Sequence, residues 1–218
     1  MAMSGGVDSS VAAAVLQRDG HEVVGVTMRL WGGDSDTGCC SVADVDDARR
    51  CADQLGIEHL VFNFTDDFDA AVVAPYVAAH AAGVTPNPCI ECNRVLKFDR
   101  LLERADDLGF DAVATGHHAR IGSSRRDDGT ATYTLERGAD RDKDQSYVLH
   151  MLGQQQLART LLPIGHLDKP AVRVLAAELG LRTAQKPDSQ DVCFITSTGG
   201  RREFLDRRIA FHPAVVRE

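Results

Sequence analysis

Apolar and polar positions along this chain fall into blocks that switch between helical and extended spacing. Residues 9–19 form an alanine-rich helical run stopped by Gly20, a C-terminal glycine. Residues 22–28 (EVVGVTM) are short, apolar and β-branched, which predicts a buried strand. A loop with Gly32, Gly33 and Gly38 follows, and Ser41 is placed to cap a helix through Gln54 that ends at Gly56. A second strand is expected over 57–62, then a long apolar-faced helix over 66–82 with a kink at Pro75. Residues 85–93 (TPNPCIECN) read as loop, since two prolines within three residues oppose a helix. An amphipathic helix over 94–108 ends at Gly109, and 111–115 (DAVAT) form another strand before Gly116.

Strands separated by helices of this length imply βαβ crossovers and a parallel sheet. The expected fold class is therefore α/β, a Rossmann-like parallel sheet flanked by helices. Ligands of such sheets sit at the carboxyl ends of the strands. Three stretches fall at that edge: residues 4–10, the loop after Met28, and Gly116-His117-His118. Beyond Gly116 the style changes. Residues 119–122 and 130–137 predict a hairpin around Asp127-Asp128-Gly129. Helices are expected over 144–151 and 170–179, the latter stopped by Gly180. The pattern weakens after Pro187. A first domain is expected over 1–165 and the beginning of a second, incomplete one over 166–218. Only Met1-Ala2-Met3 precede the first glycine loop, where a strand of ~5 residues is expected, so the start also reads as short.

Composition narrows the classes. The chain has 218 residues, 44% of them hydrophobic and 26% charged, as in ordinary globular proteins. No apolar run approaches the ~20 residues of a membrane span and no signal peptide is visible, so a cytoplasmic protein with no membrane partner is expected. The net charge of -8 argues against nucleic acid for the chain as a whole. Local basic clusters could reverse that: Arg94, Lys97, Arg100 and Arg104 on one helical face, then Arg120, Arg125 and Arg126, then Arg201, Arg202, Arg207 and Arg208. For any single cluster, a solvated helix face is the plainer reading.

The chemistry starts at residues 4–10, Ser-Gly-Gly-Val-Asp-Ser-Ser. A glycine-rich turn opening onto a helix aims backbone N–H groups and the positive helix end at an anion. Gly5 and Gly6 permit close approach, while Ser4, Ser9 and Ser10 add hydroxyls. The lysine and glycine spacing of a Walker A loop are absent. The stretch resembles the pyrophosphate loop of enzymes that split ATP between its α- and β-phosphates. The plain alternative is a Gly-Ser turn with Asp8 as helix N-cap, and Asp8 could also position Mg²⁺.

Six cysteines occur, at 39, 40, 51, 89, 92 and 193. A disulfide framework is not expected in a cytosolic chain of this size. Cys51 falls inside an amphipathic helix and reads as apolar filler. Cys89 and Cys92 form a C-x-x-C just ahead of the helix expected from Arg94, where the helix-end field, Arg94 and Lys97 would favour a Cys92 thiolate. Zinc would want a second pair, which is missing. Three cysteines suffice for an iron–sulfur cluster, so Cys89, Cys92 and Cys193 could hold one.

An ordered set of blocks then gives the chain a family likeness. S-G-G-V-D-S-S-V, M-R-L-W, T-P-N-P-x-x-x-C-N-x-x-x-K-F, A-T-G-H-H-A-R, K-D-Q-S-Y and D-S-x-x-x-C-F-I together resemble the tRNA-specific 2-thiouridylase family, from Ser4 to about Phe204. The phosphate loop alone would fit argininosuccinate or NAD synthetases equally well. The resemblance implies an adenine nucleotide α-hydrolase-like fold, a further central tRNA-binding domain and a C-terminal β-barrel largely absent here. It implies ATP with Mg²⁺ over Ala2, Met3, Ser4, Gly5, Gly6, Val7, Asp8 and Ser9, with Met28 and Gly116 contacting the nucleotide. It implies transfer of AMP to the 2-oxygen of the tRNA wobble uridine. Cys193 would carry a persulfide sulfur from a carrier or a cysteine desulfurase. Cys92 would be the nucleophile on the activated base, and the two would end as a disulfide. Asn87, Pro88 and Cys89 would touch the target base, and Lys143, Asp144 and Gln145 the tRNA. The protein is expected to be a monomer. Many relatives carry Asp where this chain has Cys89, which leaves the proton-transfer assistant open between Glu91 and Cys89. His117 and His118 read as packing groups beside the nucleotide. Trp31 could stack on a base or cover the sheet edge. This reading requires both thiols near the sheet's rim, neither sealed in the interior.

Overall fold

A computed structural model describes residues 1–31, 42–188, 192–195 and 199–210. The glycine loop after Trp31, Ser41, Cys39 and Cys40 lie outside them.

The expected parallel sheet is present, and its centre is shorter than any strand read from the sequence. Strand β1 (Gly25–Arg29) pairs in parallel with β2 (His59–Asn63). Strand β3 (Val113–Ala114) pairs in parallel with β6 (Thr160–Leu161). Residues 1–3 join the two halves. The Ala2 amide donates to the Ala114 carbonyl at 2.8 Å, and the Met3 amide to the Val26 carbonyl at 2.8 Å. The strands therefore run β2, β1, residues 1–3, β3, β6. That order reverses direction between residues 1–3 and β3, the switch point at which open α/β sheets bind ligands.

Helices cover both faces. Helix α1 (Val7–Arg18) lies on one, its Val7, Val11 and Val15 packed with Ile164, Val172, Ala176 and Leu181. The helix Lys169–Glu178 is thus part of this core. The boundary expected after residue 165 runs through a packed apolar cluster. Helix α2 (Val42–Leu55) completes this face, with Cys51 fully buried against Met3 and Ala13 as the filler the sequence predicts. The other face is a larger cluster holding Met28, Leu30, Phe64, Phe68, Tyr76, Leu96 and Phe194.

Glycines end the helices where expected, and one proline, Pro88, opens a helix where loop is expected. The long helix expected over 66–82 is present as the helical turns Thr65–Phe68, Asp69–Val73 and Ala74–Ala81, whose register widens to i→i+5 just ahead of Pro75. The wider turn accommodates a residue with no N–H and a bulky ring. Residues 88–91, expected as loop, are helical. Pro88 takes the first helical position, where the missing N–H costs nothing, and Asn87 caps the end by accepting the Cys89 amide at 3.0 Å. The helix continues through Cys92–Arg100 and Leu101–Asp107. Residues 144–151 do not form the expected helix. Only the short 3₁₀ turn Ser146–Val148 does, because Asp144 accepts the Gly138 and Ser146 amides and holds the chain in a turn. The hairpin is antiparallel, β4 (Ala119–Arg125) with β5 (Ala131–Arg137), as its turn signal predicts.

Phe194, next to Cys193, is 2% exposed and touches Trp31, Phe68, Tyr76 and Phe204, with ring centroids at 6.0, 5.7, 5.3 and 5.1 Å. Truncating such an aromatic leaves a cavity worth about 3–5 kcal/mol. Phe194→Ala should lower the unfolding free energy by about that much in a urea titration. A loss under about 1 kcal/mol would mean that the Cys193 segment is not docked on the core.

Candidate functional site

Residues 4–10 sit at the carboxyl edge beside the switch point. Gly5 has φ +71, and a Cβ there would lie 2.2 Å from the Asp44 carbonyl oxygen, so this position admits only glycine. The turn is stitched internally: the Ser9 hydroxyl donates to the Gly6 carbonyl at 3.1 Å, the Ser10 hydroxyl to the same oxygen at 2.9 Å, and the Ser4 amide to Ser9 Oγ at 3.2 Å. Gly6 is the helix N-cap. Asp8 does not cap the helix, which corrects that reading. Its carboxylate turns sideways to other partners.

Gly116 follows β3, and a Cβ on it would lie 2.8 Å from the Asp8 carbonyl carbon and the Ser9 nitrogen. The backbones of the two stretches touch across the switch point because neither side chain intervenes. Met28, near the end of β1, is buried alongside, and the Thr27 hydroxyl donates to the Met3 carbonyl at 2.8 Å. Ala2, Met3, Ser4, Gly5, Gly6, Val7, Asp8, Ser9, Met28 and Gly116 thus share one edge. A glycine-lined turn on a helix N-terminus, flanked by a glycine at the neighbouring strand end, is a fitting cradle for a nucleotide's phosphates.

A charged cluster backs this loop, and sequence reasoning missed its centre. The Lys169 ammonium lies 2.7 Å from Asp8 Oδ2 and 2.8 Å from Asp188 Oδ1. Asp188 also takes Lys143 at 3.1 Å and Arg173 at 2.9 Å. His118 Nε2 lies 3.2 Å from Asp8 Oδ1, while its buried Nδ1 has no hydrogen-bond partner among the described residues. Gln145 brackets the same histidine: its side chain accepts the His118 amide at 2.9 Å and its own amide donates to the His118 carbonyl at 2.9 Å. Lys143 and Gln145 are therefore joined to the loop through Asp188 and His118 respectively. The only sequence signal for Lys169 was its place after Asp168 at the start of an amphipathic helix, which does not separate it from a surface lysine.

His117 is a packing group, as expected. It is buried against Phe98 with Nδ1 2.7 Å from Thr115 Oγ1, and burial holds its pKa well below the ordinary histidine value, so it is neutral. Trp31 packs on Phe68, Phe194 and Phe204, the edge-covering alternative. The basic helix face is largely satisfied by its neighbours: Arg94 pairs with Glu91, Arg100 with Asp67 at 2.9 Å and Arg104 with Asp107 at 3.4 Å. That agrees with the solvated-face reading.

The cysteines divide by depth. Cys89 is exposed in the first helical turn beside exposed Asn87 and buried Pro88. Cys92 lies a full turn further in and is only 8% exposed, within the large apolar cluster. The helix starts at Pro88 instead of Arg94, so the end field acts on Cys89 rather than Cys92. This corrects the expectation of Cys92 at a helix start. Cys193 is half-buried and packs against the cluster that contains Cys92. Ser189, Gln190 and Asp191, just before it, lie outside the described residues. Among the described residues no three His, Cys, Asp or Glu side chains are grouped to hold a metal, so Cys89, Cys92 and Cys193 do not form a ready cluster site. No described helix is long and apolar enough to cross a membrane.

The family model described as the tRNA methyl transferase HUP domain matches residues 1–197. A tRNA-specific 2-thiouridylase MnmA of Heliobacterium modesticaldum is 50% identical over 216 residues, covering 97% of this chain and 55% of the relative. The Mycolicibacterium smegmatis protein of the same name is 50% identical over 221 residues, covering 99% of this chain and 59% of the relative. The chain thus spans between half and two thirds of the length of the curated relatives it matches. Among solved structures, NMN synthetase from Francisella tularensis superposes with a TM-score of 0.51 at 18% identity, covering 86% of this chain and 64% of that one. U34-tRNA thiolase NcsA from Methanococcus maripaludis, solved with its [4Fe-4S] cluster, gives 0.51 at 17%, covering 88% and 59%. These two likenesses support the nucleotide α-hydrolase-like fold and nothing finer.

Asp8 and Asp188 predict an acid sensitivity. Burial pushes each carboxyl up, but hydrogen bonds from His118 and Lys169 to Asp8, and from Lys169 and Lys143 to Asp188, leave both below the ordinary range. A depressed carboxylate pKa stabilises the fold above its unfolded value of ~3.9, and that contribution is lost as pH falls through the folded value. The melting temperature should therefore drop as pH is lowered below about 4. Asp188→Asn should melt lower than wild type at pH 7 and lose less on acidification; an unchanged acid slope would remove Asp188 from the account.

Proposed function

The chain belongs to the tRNA methyl transferase HUP-domain family, and from that premise we propose that it carries the ATP-binding catalytic part of a tRNA-uridine 2-sulfurtransferase. The observation that carries this reading is the meeting of the phosphate loop, Gly116 and the Lys143–Gln145 stretch at one switch point, with Cys92 and Cys193 in one neighbouring cluster. The names of the half-identical relatives supply the sulfur. The family's own description speaks of methyl transfer, for which the two cysteines have no evident use.

In the proposed reaction, ATP lies over Ala2–Ser9, Met28 and Gly116; Lys169 takes both Asp8 oxygens, so an accompanying Mg²⁺ would be carried on the ATP phosphates and would share their charge. The loop's amides and helix end take up charge on the departing pyrophosphate. AMP passes to the 2-oxygen of the wobble uridine, making a poor leaving group a good one. Cys92 is the nucleophile on the activated base, and the terminal sulfur of a Cys193 persulfide becomes the 2-sulfur. The former 2-oxygen departs with AMP. The persulfide sulfur displaces Cys92 from C2, and the freed Cys92 thiolate attacks the Cys193 sulfur, breaking the persulfide bond so that its electron pair stays on the 2-sulfur; Cys92 and Cys193 finish joined as a disulfide and need an external thiol for the next cycle. Asn87, Pro88 and Cys89, a helix start with Asn87 and Cys89 exposed and Pro88 buried, take the target base, and Lys143, Asp144 and Gln145 contact the tRNA. The persulfide comes from a carrier or a cysteine desulfurase in the cytoplasm, and the protein acts as a monomer. Cys92, 8% exposed in the apolar cluster, does not meet the requirement that neither thiol be sealed in the interior, so the reaction requires base entry to open that cluster. An iron–sulfur cluster would require Cys89, Cys92 and Cys193 to be drawn together, and we give it second place.

Nucleoside mass spectrometry of tRNA incubated with the protein, ATP and a persulfide donor should detect 2-thiouridine. Cys92→Ser and Cys193→Ser should each abolish it while leaving ATP binding intact. Thiolation surviving either change would sink the cysteine assignments, and iron copurifying anaerobically in stoichiometric amount would favour the cluster.

A further inference from the structure

We propose that Lys169 keeps the phosphate loop receptive to anions by cancelling the charge of Asp8, a carboxylate inside the loop's own first helical turn. The inference rests on the reading of residues 4–10 as a site for ATP.

The loop contains a conflict. Its attraction for phosphate comes from the amides and positive end of α1, yet Asp8 is the second residue of that helix. A bare carboxylate there competes for the same field and repels an incoming phosphate. At about 6 Å and an effective dielectric near 20, two unit charges repel strongly enough to cost more than about tenfold in affinity. Lys169 resolves the conflict. Its ammonium lies 2.8 and 2.7 Å from the two Asp8 oxygens, and its side chain is 10% exposed.

The lysine is held for this task from both ends. It is the first residue of its helix, which Asp168 caps by accepting the Ala171 amide at 2.8 Å. Its own amide donates to Asp140 Oδ2 at 2.9 Å. On the far side, Asp188 draws the ammonium at 2.8 Å and is itself balanced by Lys143 and Arg173. Lys169, Lys143 and Arg173 thus share Asp8 and Asp188 in one paired cluster behind the loop. Lys169 acts on ATP through Asp8 and is a positioning residue.

The test measures ATP binding by calorimetry for wild type, Lys169→Met, Asp8→Asn, the double variant and Lys169→Arg, each checked for folding by thermal melting. Lys169→Met should bind ATP at least about tenfold more weakly than wild type. Lys169→Arg, which keeps the charge, should stay within about threefold of wild type. The double variant should recover to within about threefold of Asp8→Asn alone, because no bare carboxylate remains. A Lys169→Met protein that binds as tightly as wild type overturns the proposal. So does a tenfold loss when Lys169 is removed from the Asp8→Asn background, since Lys169 would then act on something besides Asp8. The double variant leaves no bare Asp8 charge, so this comparison remains available if Lys169→Met alone does not fold. A wild-type protein that fails to bind ATP overturns the reading of the loop itself, and the inference falls with it.

Discussion

The arrangement depends on a three-residue strand. Residues 1–3 connect the two halves of the sheet through the Ala2 and Met3 amides, and the phosphate loop leaves directly from their end. A parallel sheet that reverses its winding at this strand opens a crevice on its carboxyl side. The loop enters that crevice because the chain has nowhere else to go after Met3. Gly5 must take a left-handed turn under the Asp44 carbonyl, and Gly116 must let the neighbouring strand end touch α1. Backbone sterics therefore fix the location of the glycine loop before any side chain contributes.

Electrostatics then decides what that location can bind. A helix N-terminus favours negative charge, and the loop supplies some of its own in Asp8. The surrounding chain answers with cations drawn from distant segments. Lys169 comes from the helix that packs on α1, and Lys143 and Arg173 reach the same cluster through Asp188. A parallel tie operates one helix away, where Lys186 pairs with Asp44 at 2.6 Å and Asp47 at 2.7 Å. The segment leading toward Cys193 is thus fastened to both helices that flank the loop. Removing one partner of such a pair leaves an uncompensated charge, which costs more than the intact pair contributes.

Local signals in the sequence were sufficient wherever one residue decides the outcome. Gly20, Gly56, Gly109 and Gly180 all take positive φ just beyond a helix, as C-terminal glycines do. The Asp-Asp-Gly hairpin turn and the phosphate loop were legible for the same reason. A proline's effect depends on its register in the helix. Pro88 opens a helix once Asn87 caps it, and Pro75 is absorbed by a widened turn. Strand β6 has two residues and no pattern of its own, being defined by β3 beside it. Lys169 was illegible because its importance comes from Asp8, 161 positions away, and a lysine at a helix start has no distinguishing local mark.

The depth of Cys92 follows from the same helix start. Had the helix begun at Arg94, Cys92 would have stood in the exposed approach to its first turn. With Pro88 at the start, the apolar stripe passes through Pro88, Cys92, Leu96 and Leu101, so the thiol joins the core that also receives Phe194. Cys89, three residues earlier, is left on the surface. Cys92 is instead covered by its apolar neighbours. Its neighbour in the cluster is the segment that carries Cys193, so whatever uncovers one thiol also disturbs the packing of the other. Phe194 is the lever in this coupling: its ring holds the Cys193 segment against the aromatic group of Trp31, Phe68 and Tyr76, and that group shares its cluster with Cys92.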